Sequence, residues 1–169
     1  MCAVVLDELG RVNNCFEETK KIFLKMTNLD IQNPKNVGGV GSFSLKNNFK
    51  KNNNLFVGEA AGLQDVLWGF GMKYAFTSGF LAARSIINGE NYEKKAKERF
   101  SNKLKSSLVN RFLWERAGFG NYAFLIDKLK NSKDLFGSLY SFHNYNFLQK
   151  LIYPTALIYM RRKYPKLKL

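Results

Sequence analysis

The chain has 169 residues, of which 46% are hydrophobic, and it carries a formal net charge of +14 at pH 7. This length and composition favour a single domain with a real apolar core, and the sequence holds no run of eighteen apolar residues to cross a bilayer as a helix. Residues 1–90 contain 10 Lys and Arg against 8 Asp and Glu, whereas residues 91–169 contain 17 against 5. Such an excess attracts nucleic acid, anionic lipid or an acidic protein face, although a solvated basic surface has the same composition.

The first elements are a strand and a helix. The opening MCAVVLDELG has a short β-branched apolar run and no basic flank, which predicts a strand and argues against a signal peptide. Cys2 and Cys15 are too few for a disulfide framework and lack metal-ligand spacing, so they predict buried small residues, a cytoplasmic protein and no metal site. The segment NNCFEETKKIFLKMTN alternates apolar and charged residues at helical spacing and predicts an amphipathic helix.

The next segments are rich in glycine and asparagine. VGGVGSFSL, residues 37–45, predicts an extended strand whose glycines permit close backbone approach. KNNFKKNNN, residues 46–54, predicts a polar and solvated connector. LFVGEAAG then predicts a strand at about 55–58 and its exit turn.

The remainder of the chain predicts helices. Apolar and small residues recur at three-and-four spacing after residue 71, which predicts a helix at about 71–88 with one buried face. Asn88-Gly89 predicts its C-terminal cap, and further helices are predicted near 91–109, 110–118, 121–131 and 137–162. The small residues of the predicted buried face also suggest that another backbone lies close to it. That face comprises Met72, Ala75, Phe76, Gly79, Phe80, Ala83, Ile86 and Ile87.

The stretch LFVGEAAGLQDVLWGFGMKYAFTSGFLAA, residues 55–83, has features of a ligand site. A strand that ends at Gly58 and a helix that begins near Gly71 bring together free N–H groups and the positive end of a helix dipole, which favour anionic ligand atoms. Glu59 offers an acceptor for the hydroxyl groups of a polyhydroxylated, phosphate-bearing cofactor. A structural turn with a capping carboxylate explains the same residues. Neither GFGMKY nor GVGSFS begins a dinucleotide-binding βαβ unit, because the first lacks its third glycine and no helix follows the second.

This stretch resembles the third, C-terminal flavin motif of FAD-dependent oxidoreductases related to geranylgeranyl reductases and aromatic hydroxylases. That motif is written G-D-A-A-G, a short loop, G-x-G, and a helix with S-G and A-A; Glu59 departs from it, since Asp is usual there. The resemblance covers residues 37–88, roughly a third of the chain, and joins several positions in order. It implies an α+β fold class, namely the C-terminal fragment of a two-domain FAD-binding flavoenzyme of the glutathione-reductase-like Rossmann type, mostly helical after residue 70.

The resemblance also implies roles for individual residues. Glu59 would accept hydrogen bonds from the ribityl chain of FAD, and residues 69–72 would bring backbone N–H groups to the pyrimidine edge of the isoalloxazine, where reduction places negative charge. Asp65 and Trp68 would line the loop above the ring, and NAD(P)H would be the reductant of the complete enzyme. The full set of implied cofactor-binding residues is Gly58, Glu59, Ala60, Ala61, Asp65, Trp68, Gly69, Phe70, Gly71 and Met72.

Enzymes of this class bind the ADP half of FAD through an N-terminal GxGxxG unit, and nothing before residue 55 supplies one. We therefore interpret residues 1–54 as a remnant of a substrate domain with its returning strand, 55–90 as the C-terminal flavin-binding motif, and 91–169 as a basic helical region. The expected partner is a missing or separately encoded N-terminal flavin-binding half, and the chain is expected to be a split-gene product, a gene remnant or a shortened reading frame. Family analogy suggests a lipid or isoprenoid substrate.

Other features allow other interpretations. His143 is interpreted as structural, and Asp127 and Asp134 as surface charges. Residues 147–169 suit either peripheral contact with an anionic membrane or a core helix with a solvated basic tail, and the second interpretation is preferred. No nucleic-acid-binding signature accompanies the abundant aromatic residues, so no specific nucleic acid is expected. Three functions remain open: a flavin-dependent oxidoreductase segment, a basic helical module that binds membrane or nucleic acid, and a non-catalytic remnant subunit.

Overall fold

A computed structural model describes residues 9–27, 30, 32–39, 41, 44–45, 48–117, 127 and 130–165. The described chain is mostly helical and contains one small two-stranded sheet. It divides into two compact units, Met1–Val40 and Gly41–Leu169. In the described ranges, every helix is too short or too polar to cross a membrane. The strand predicted near the N-terminus and most of the helix predicted at 121–131 lie outside the described residues.

The first unit contains the predicted amphipathic helix. Helix α1 spans Val12–Thr27 and follows a short 3-10 turn at Leu9–Arg11, which confirms the prediction from its periodicity. The strand predicted over residues 37–45 is wrong in its described part, because residues 37–39 are exposed and irregular and Ser44 makes only an isolated bridge. The glycines supply no side chains that pack against a neighbour, and burial of side chains is what stabilises a strand.

The second unit begins with a short β-hairpin. Strands β1, Lys50–Lys51, and β2, Asn54–Leu55, pair antiparallel, so the predicted strand at 55–58 ends earlier than expected. The connector predicted as solvated contains β1 and also Phe49, which is 1% exposed and packs against the rings of Tyr92 and Phe100. One aromatic residue in a polar run gives no periodic signal, and for this reason the sequence does not reveal this anchor.

Helix α2 spans Met72–Asn88 and confirms the predicted helix. Gly89 confirms the predicted cap, since it has φ +65° and its N–H donates to the carbonyl of Ser85. The prediction of the buried face is wrong. The buried residues are Ser78, Ala82 and Ser85, which share the same helical spacing on another side of the helix, so periodicity did not distinguish the two faces. The large side chains predicted to be buried are exposed, namely Met72, Phe76, Phe80, Ile86 and Ile87.

Three helices complete the described fold. Helix α3 spans Tyr92–Ala117 without a break, although two helices were predicted there; the break was expected near Asn110, whose side chain instead accepts a hydrogen bond from Gln149. The single helix predicted at 137–162 is two helices, α4 at Leu135–Phe142 and α5 at Phe147–Lys163. The chain breaks between them because Tyr145 has φ +48° and Asn146 forms a capping box with Gln149.

Helix α3 is the central element of the second unit, since both α2 and α5 pack against it. Its buried positions carry apolar side chains that recur along its length and join the hairpin, the turn after it and α2 in one core. The members of this core are Phe49, Ala61, Leu63, Ala82, Tyr92, Ala96, Phe100 and Leu104.

The contact of α3 with the end of α5 includes a buried carboxylate. Glu115 accepts hydrogen bonds from the Tyr164 hydroxyl at 2.6 Å, from Arg111 Nε at 2.7 Å and from Lys163 Nζ at 2.9 Å. Burial by itself raises the pKa of the Glu115 carboxyl, but these hydrogen bonds outweigh burial and hold the pKa below its usual value. The carboxylate therefore stabilises the α3–α5 contact only while it is ionised.

Because the pKa of Glu115 is lower in the folded chain than in the unfolded chain, its contribution is complete above the usual pKa of about 4.5 and is lost as the pH falls through the folded value. We expect Glu115→Gln to lower the free energy of unfolding by about 1–2 kcal/mol at pH 7, with a difference from the wild type that shrinks in acid. Urea unfolding between pH 3 and pH 7 measures this, and Glu98→Gln, at an exposed position of the same helix, is the control. A pH-independent difference would show that the charge of Glu115 is not what stabilises the contact.

Candidate functional site

The candidate site begins with the turn Gly58–Ala61, a short 3-10 helix directly after the hairpin. Gly58 has φ +54°, and its buried N–H donates to the hydroxyl of Ser78 on α2 at 2.8 Å. A Cβ added to Gly58 would lie 3.1 Å from the Cβ of Ala75, so the turn and the helix would have to separate slightly to accept a side chain. Glycine is therefore favoured here both by the backbone angle and by the available space.

The turn directs its side chains to different environments. Ala61 is buried at 2% exposure, while Glu59 and Ala60 are exposed. Gly62 ends the turn with φ +72° and donates its N–H to the carbonyl of Glu59, and Leu63 donates to the carbonyl of Gly58. The backbone of the turn is thus held by hydrogen bonds, and the Glu59 carboxylate extends from a fixed position into solvent.

The loop of residues 65–70 is closed by Asp65. This residue is 6% exposed, and its Oδ1 accepts the N–H of Trp68 at 2.7 Å. Its own backbone N–H donates to the carbonyl of Phe70, and its carbonyl accepts the N–H of Gly69. The Asp65 carboxylate therefore shapes the loop from inside.

Helix α3 anchors the same loop through residues that the sequence did not single out. The Ser107 hydroxyl accepts the N–H of Val66 at 2.8 Å and the N–H of Leu67 at 3.1 Å. Arg111 donates from Nη1 to the carbonyl of Leu67 at 3.3 Å. A small polar residue inside a helix usually bonds its own helix or solvent, so no pattern in the sequence indicates that Ser107, at 1% exposure, holds a distant loop.

The loop leads directly into the N-terminus of α2. Gly69 has φ +73°, whereas Gly71, the N-cap residue, has φ −113° and ψ −21°. No side chain caps this helix end, and its first turn holds no acidic residue. The N–H groups of residues 72–74 thus lack the acceptor that an N-cap side chain supplies, beside the positive end of the helix dipole.

Apolar side chains surround this helix end. Phe70 and Met72 are 62% and 73% exposed, and Trp68 is 44% exposed while its ring packs edge-on against Trp114 with the centroids 5.1 Å apart. An indole that rests on a second indole keeps one orientation at lower cost in side-chain entropy. The structure therefore places an exposed apolar and aromatic surface next to the N–H groups of the α2 terminus.

A small open cavity adjoins the turn at Ala60. Its volume is about 270 Å³, and two of its lining side chains are lysines. Two ammonium groups beside one cavity favour an anionic group such as a phosphate. The lining residues are Asn48, Lys50, Lys51, Phe56 and Ala60.

Gly69 and Gly71 differ in what a side chain would cost. We expect Gly69→Ala to destabilise the apo-protein by about 1–2 kcal/mol, because a left-handed backbone angle is strained for a residue with a Cβ. Gly71→Ala keeps an allowed angle, and its Cβ would lie 3.4 Å from Gln64 Cγ, an ordinary contact, so its stability should change by less than about 0.5 kcal/mol. Thermal unfolding of both variants measures the difference. Equal losses would mean that Gly71 also serves the fold.

The structure brings together all the residues that the sequence predicted for a cofactor site, from Gly58 to Met72, in one turn, one loop and one helix end packed on α3. Asp65, Gly58 and Ala61 lie inside this assembly, while Glu59, Ala60, Trp68, Phe70 and Met72 are on its surface. Comparisons with models of protein families, with curated proteins and with solved structures find nothing that matches this chain.

Proposed function

We propose that this chain forms the C-terminal part of an FAD site in a flavin-dependent oxidoreductase, where it holds the ribityl chain and the isoalloxazine ring. One observation carries the proposal: the N-terminus of α2 has no side-chain cap, and the loop before it is shaped by Gly69 and Gly71 and fixed to α3. A helix end of this kind needs acceptors from a ligand or from water. The motif resemblance identifies the isoalloxazine as that ligand.

The donor set suits the pyrimidine edge of a flavin. This edge carries carbonyl oxygens, which accept hydrogen bonds from the N–H groups of residues 72–74. Lys73 adds a positive charge in the same helical turn. Along the chain before the helix, the nearest charged group is the Asp65 carboxylate, which accepts a hydrogen bond from the N–H of Trp68. The N–H groups and Lys73 favour negative charge on the ring, the Asp65 carboxylate opposes it, and the backbone donors are in place before any ligand arrives.

The turn of residues 58–61 suits the ribityl chain and the phosphates. The exposed Glu59 carboxylate accepts hydrogen bonds from hydroxyl groups, and charge assistance strengthens such bonds. Lys50 and Lys51, beside Ala60, suit a phosphate at the far end of the ribityl chain. The apolar side chains of Phe70 and Met72 exclude water from the ring.

Bound FAD would supply hydride transfer, with NAD(P)H as the reductant in the complete enzyme. The chain itself would position the flavin ring, polarise it and shield it from water. A second polypeptide that carries the GxGxxG unit would bind the ADP half of FAD. The resemblance suggests a lipid or isoprenoid substrate. The two cysteines suit a cytoplasmic location, and the basic residues of 147–169 suit either peripheral contact with an anionic membrane or a solvated tail. In this proposal the chain alone is not an active enzyme.

Absorbance after gel filtration tests the proposal. The isolated chain should elute without stoichiometric FAD, because it binds only the ribityl and ring portion. Coexpression with a protein from the same genome that has a GxGxxG unit and lacks this C-terminal motif should give a yellow complex with one FAD. Tight FAD binding by the isolated chain, or a colourless complex with every such candidate, would contradict the proposal.

A further inference from the structure

We infer that the outer face of α2 is the surface through which this chain binds a second polypeptide, whose contacting surface is apolar and edged by acidic side chains. This inference deepens the proposed function, and only the identification of that polypeptide as the flavin-binding half rests on it. The outer face is defined by large side chains of α2 that are 65% to 81% exposed. These residues are Met72, Phe76, Phe80, Ile86 and Ile87.

The size of this face is near that of the largest apolar patch on an ordinary monomer, which is often functional. Five such side chains expose on the order of 550 Å² of apolar surface if each contributes about 150 Å² when fully exposed, and the largest patch of an ordinary monomer is about 300–600 Å². A standard protein interface buries about 800 Å² on each partner. One docked polypeptide would therefore account for the whole face.

The shape of the face suits a polypeptide better than lipid. At 3.6 residues per turn, Ala75, Gly79 and Ala83 form a strip of small residues along the large ones. A Cβ added to Gly79 would meet nothing within 4 Å, so this strip is open at its middle, whereas Ala75 at its start lies against Gly58. Small residues beside large ones allow another backbone to approach closely, as in helix packing by ridges and grooves, and a lipid surface needs no such strip.

Charge distinguishes the occupants further. The only charged residues of α2 are Lys73 and Arg84, which the helical spacing places along one edge of the outer face, and both are exposed. Acidic side chains on a partner would complement this edge. A second copy of this chain would instead place its own Lys73 and Arg84 near these two cations, and it carries the same net charge of +14. An anionic membrane is recognised by clusters of about 4–8 basic residues on a helix, and α2 has two.

The opposite side of α2 fixes the orientation of the outer face. Ser78, Ala82 and Ser85 on that side are buried in this chain. The Ser78 hydroxyl holds the N–H of Gly58 there. The rotation of α2 is thus fixed from inside by the turn that carries Glu59, and the outer face is presented in one orientation.

Photo-crosslinking in the cells that produce the protein tests the inference. A benzophenone side chain in place of Phe76 should give one defined adduct with an acidic protein, and the same probe in place of Phe147, which is 72% exposed on α5, should not. The adduct partner is then identified by mass spectrometry, purified and titrated with the wild-type chain. Phe80→Ser should weaken this binding by at least about tenfold, as for a central interface residue, whereas Phe147→Ser should change it by less than about twofold. Circular dichroism confirms that both variants fold.

Three results would overturn the inference: no adduct at position 76 above the control at position 147, an adduct between two copies of the chain, or binding to phosphatidylglycerol vesicles that Phe80→Ser abolishes. FAD absorbance of the purified complex separates the two proposals. A complex that needs Phe80 but binds no FAD would support the interface and contradict the flavin function. Flavin contact at residues 58–72 in the absence of any partner bound to α2 would support the flavin function and contradict the interface.

Discussion

Replacement of Ser107 by alanine should lower the free energy of unfolding by about 2–3 kcal/mol, because the buried N–H of Val66 and the partly buried N–H of Leu67 lose their acceptor together. Among the described hydrogen bonds, the Ser107 hydroxyl is the only acceptor for the N–H groups of Val66 and Leu67. The loop of residues 65–70 should loosen from α3, which also moves the start of α2. Urea unfolding measures the stability, and amide hydrogen exchange at residues 66–70 measures the loop.

Ser101→Ala is the matched control, since Ser101 lies on the same helix at a partly exposed position. It should change the free energy of unfolding by less than about 0.5 kcal/mol. If Ser107→Ala is as mild as the control and leaves exchange at residues 66–70 unchanged, the loop does not depend on α3. Its shape would then come from Asp65 alone.

Glu59→Ala should reduce FAD affinity of the completed enzyme by about ten- to a hundredfold, because it removes a charge-assisted hydrogen bond worth roughly 1.5–3 kcal/mol. Stability of the apo-protein should hardly change, since the Glu59 side chain is exposed and the turn is held by its backbone hydrogen bonds. Fluorescence titration of FAD measures the affinity, and thermal unfolding measures the stability.

Glu59→Asp should retain more affinity than Glu59→Ala, because the carboxylate stays and Asp is the usual residue in the motif that the sequence resembles. Equal FAD affinity of the wild type and Glu59→Ala would mean that the carboxylate is a structural part of the turn and does not bind FAD. A large loss of apo stability in Glu59→Ala, with FAD affinity unaltered, would lead to the same conclusion.

The elements with strong local signals were predictable from the sequence. The helix of residues 72–88 has helical periodicity and a glycine cap, and both are confirmed. The helical character of residues 92–117 and 147–163 was also predicted, although the breaks between helices were misplaced. Local propensity and capping determine such elements, so they require no knowledge of the tertiary contacts.

The features that depend on distant contacts were not predictable. Two sides of α2 share one helical period, and the contacts of Ser78 with Gly58 and of Ala82 with the core decide which side is buried. Phe49 is isolated in a polar run, yet it fills the core between Tyr92 and Phe100. Ser107 holds a loop about forty residues away, a contact that one sequence does not show. The candidate site was found by its ordered motif, while the residues that support it were found only in the structure.

Amide chemical shifts of the isotope-labelled chain, followed during titration with FMN, test the central claim most directly. FMN contains the ring and ribityl phosphate without the ADP half, so the account predicts weak, saturable shifts confined to residues 50–51, 58–61 and 68–74. Inorganic phosphate should not reproduce the shifts at 68–74. Gly71→Val should abolish those shifts while the α2 signals stay those of a folded helix. Shifts spread over the basic residues of 91–117, or no shifts at residues 58–74, would contradict the proposal that this chain forms part of a flavin site.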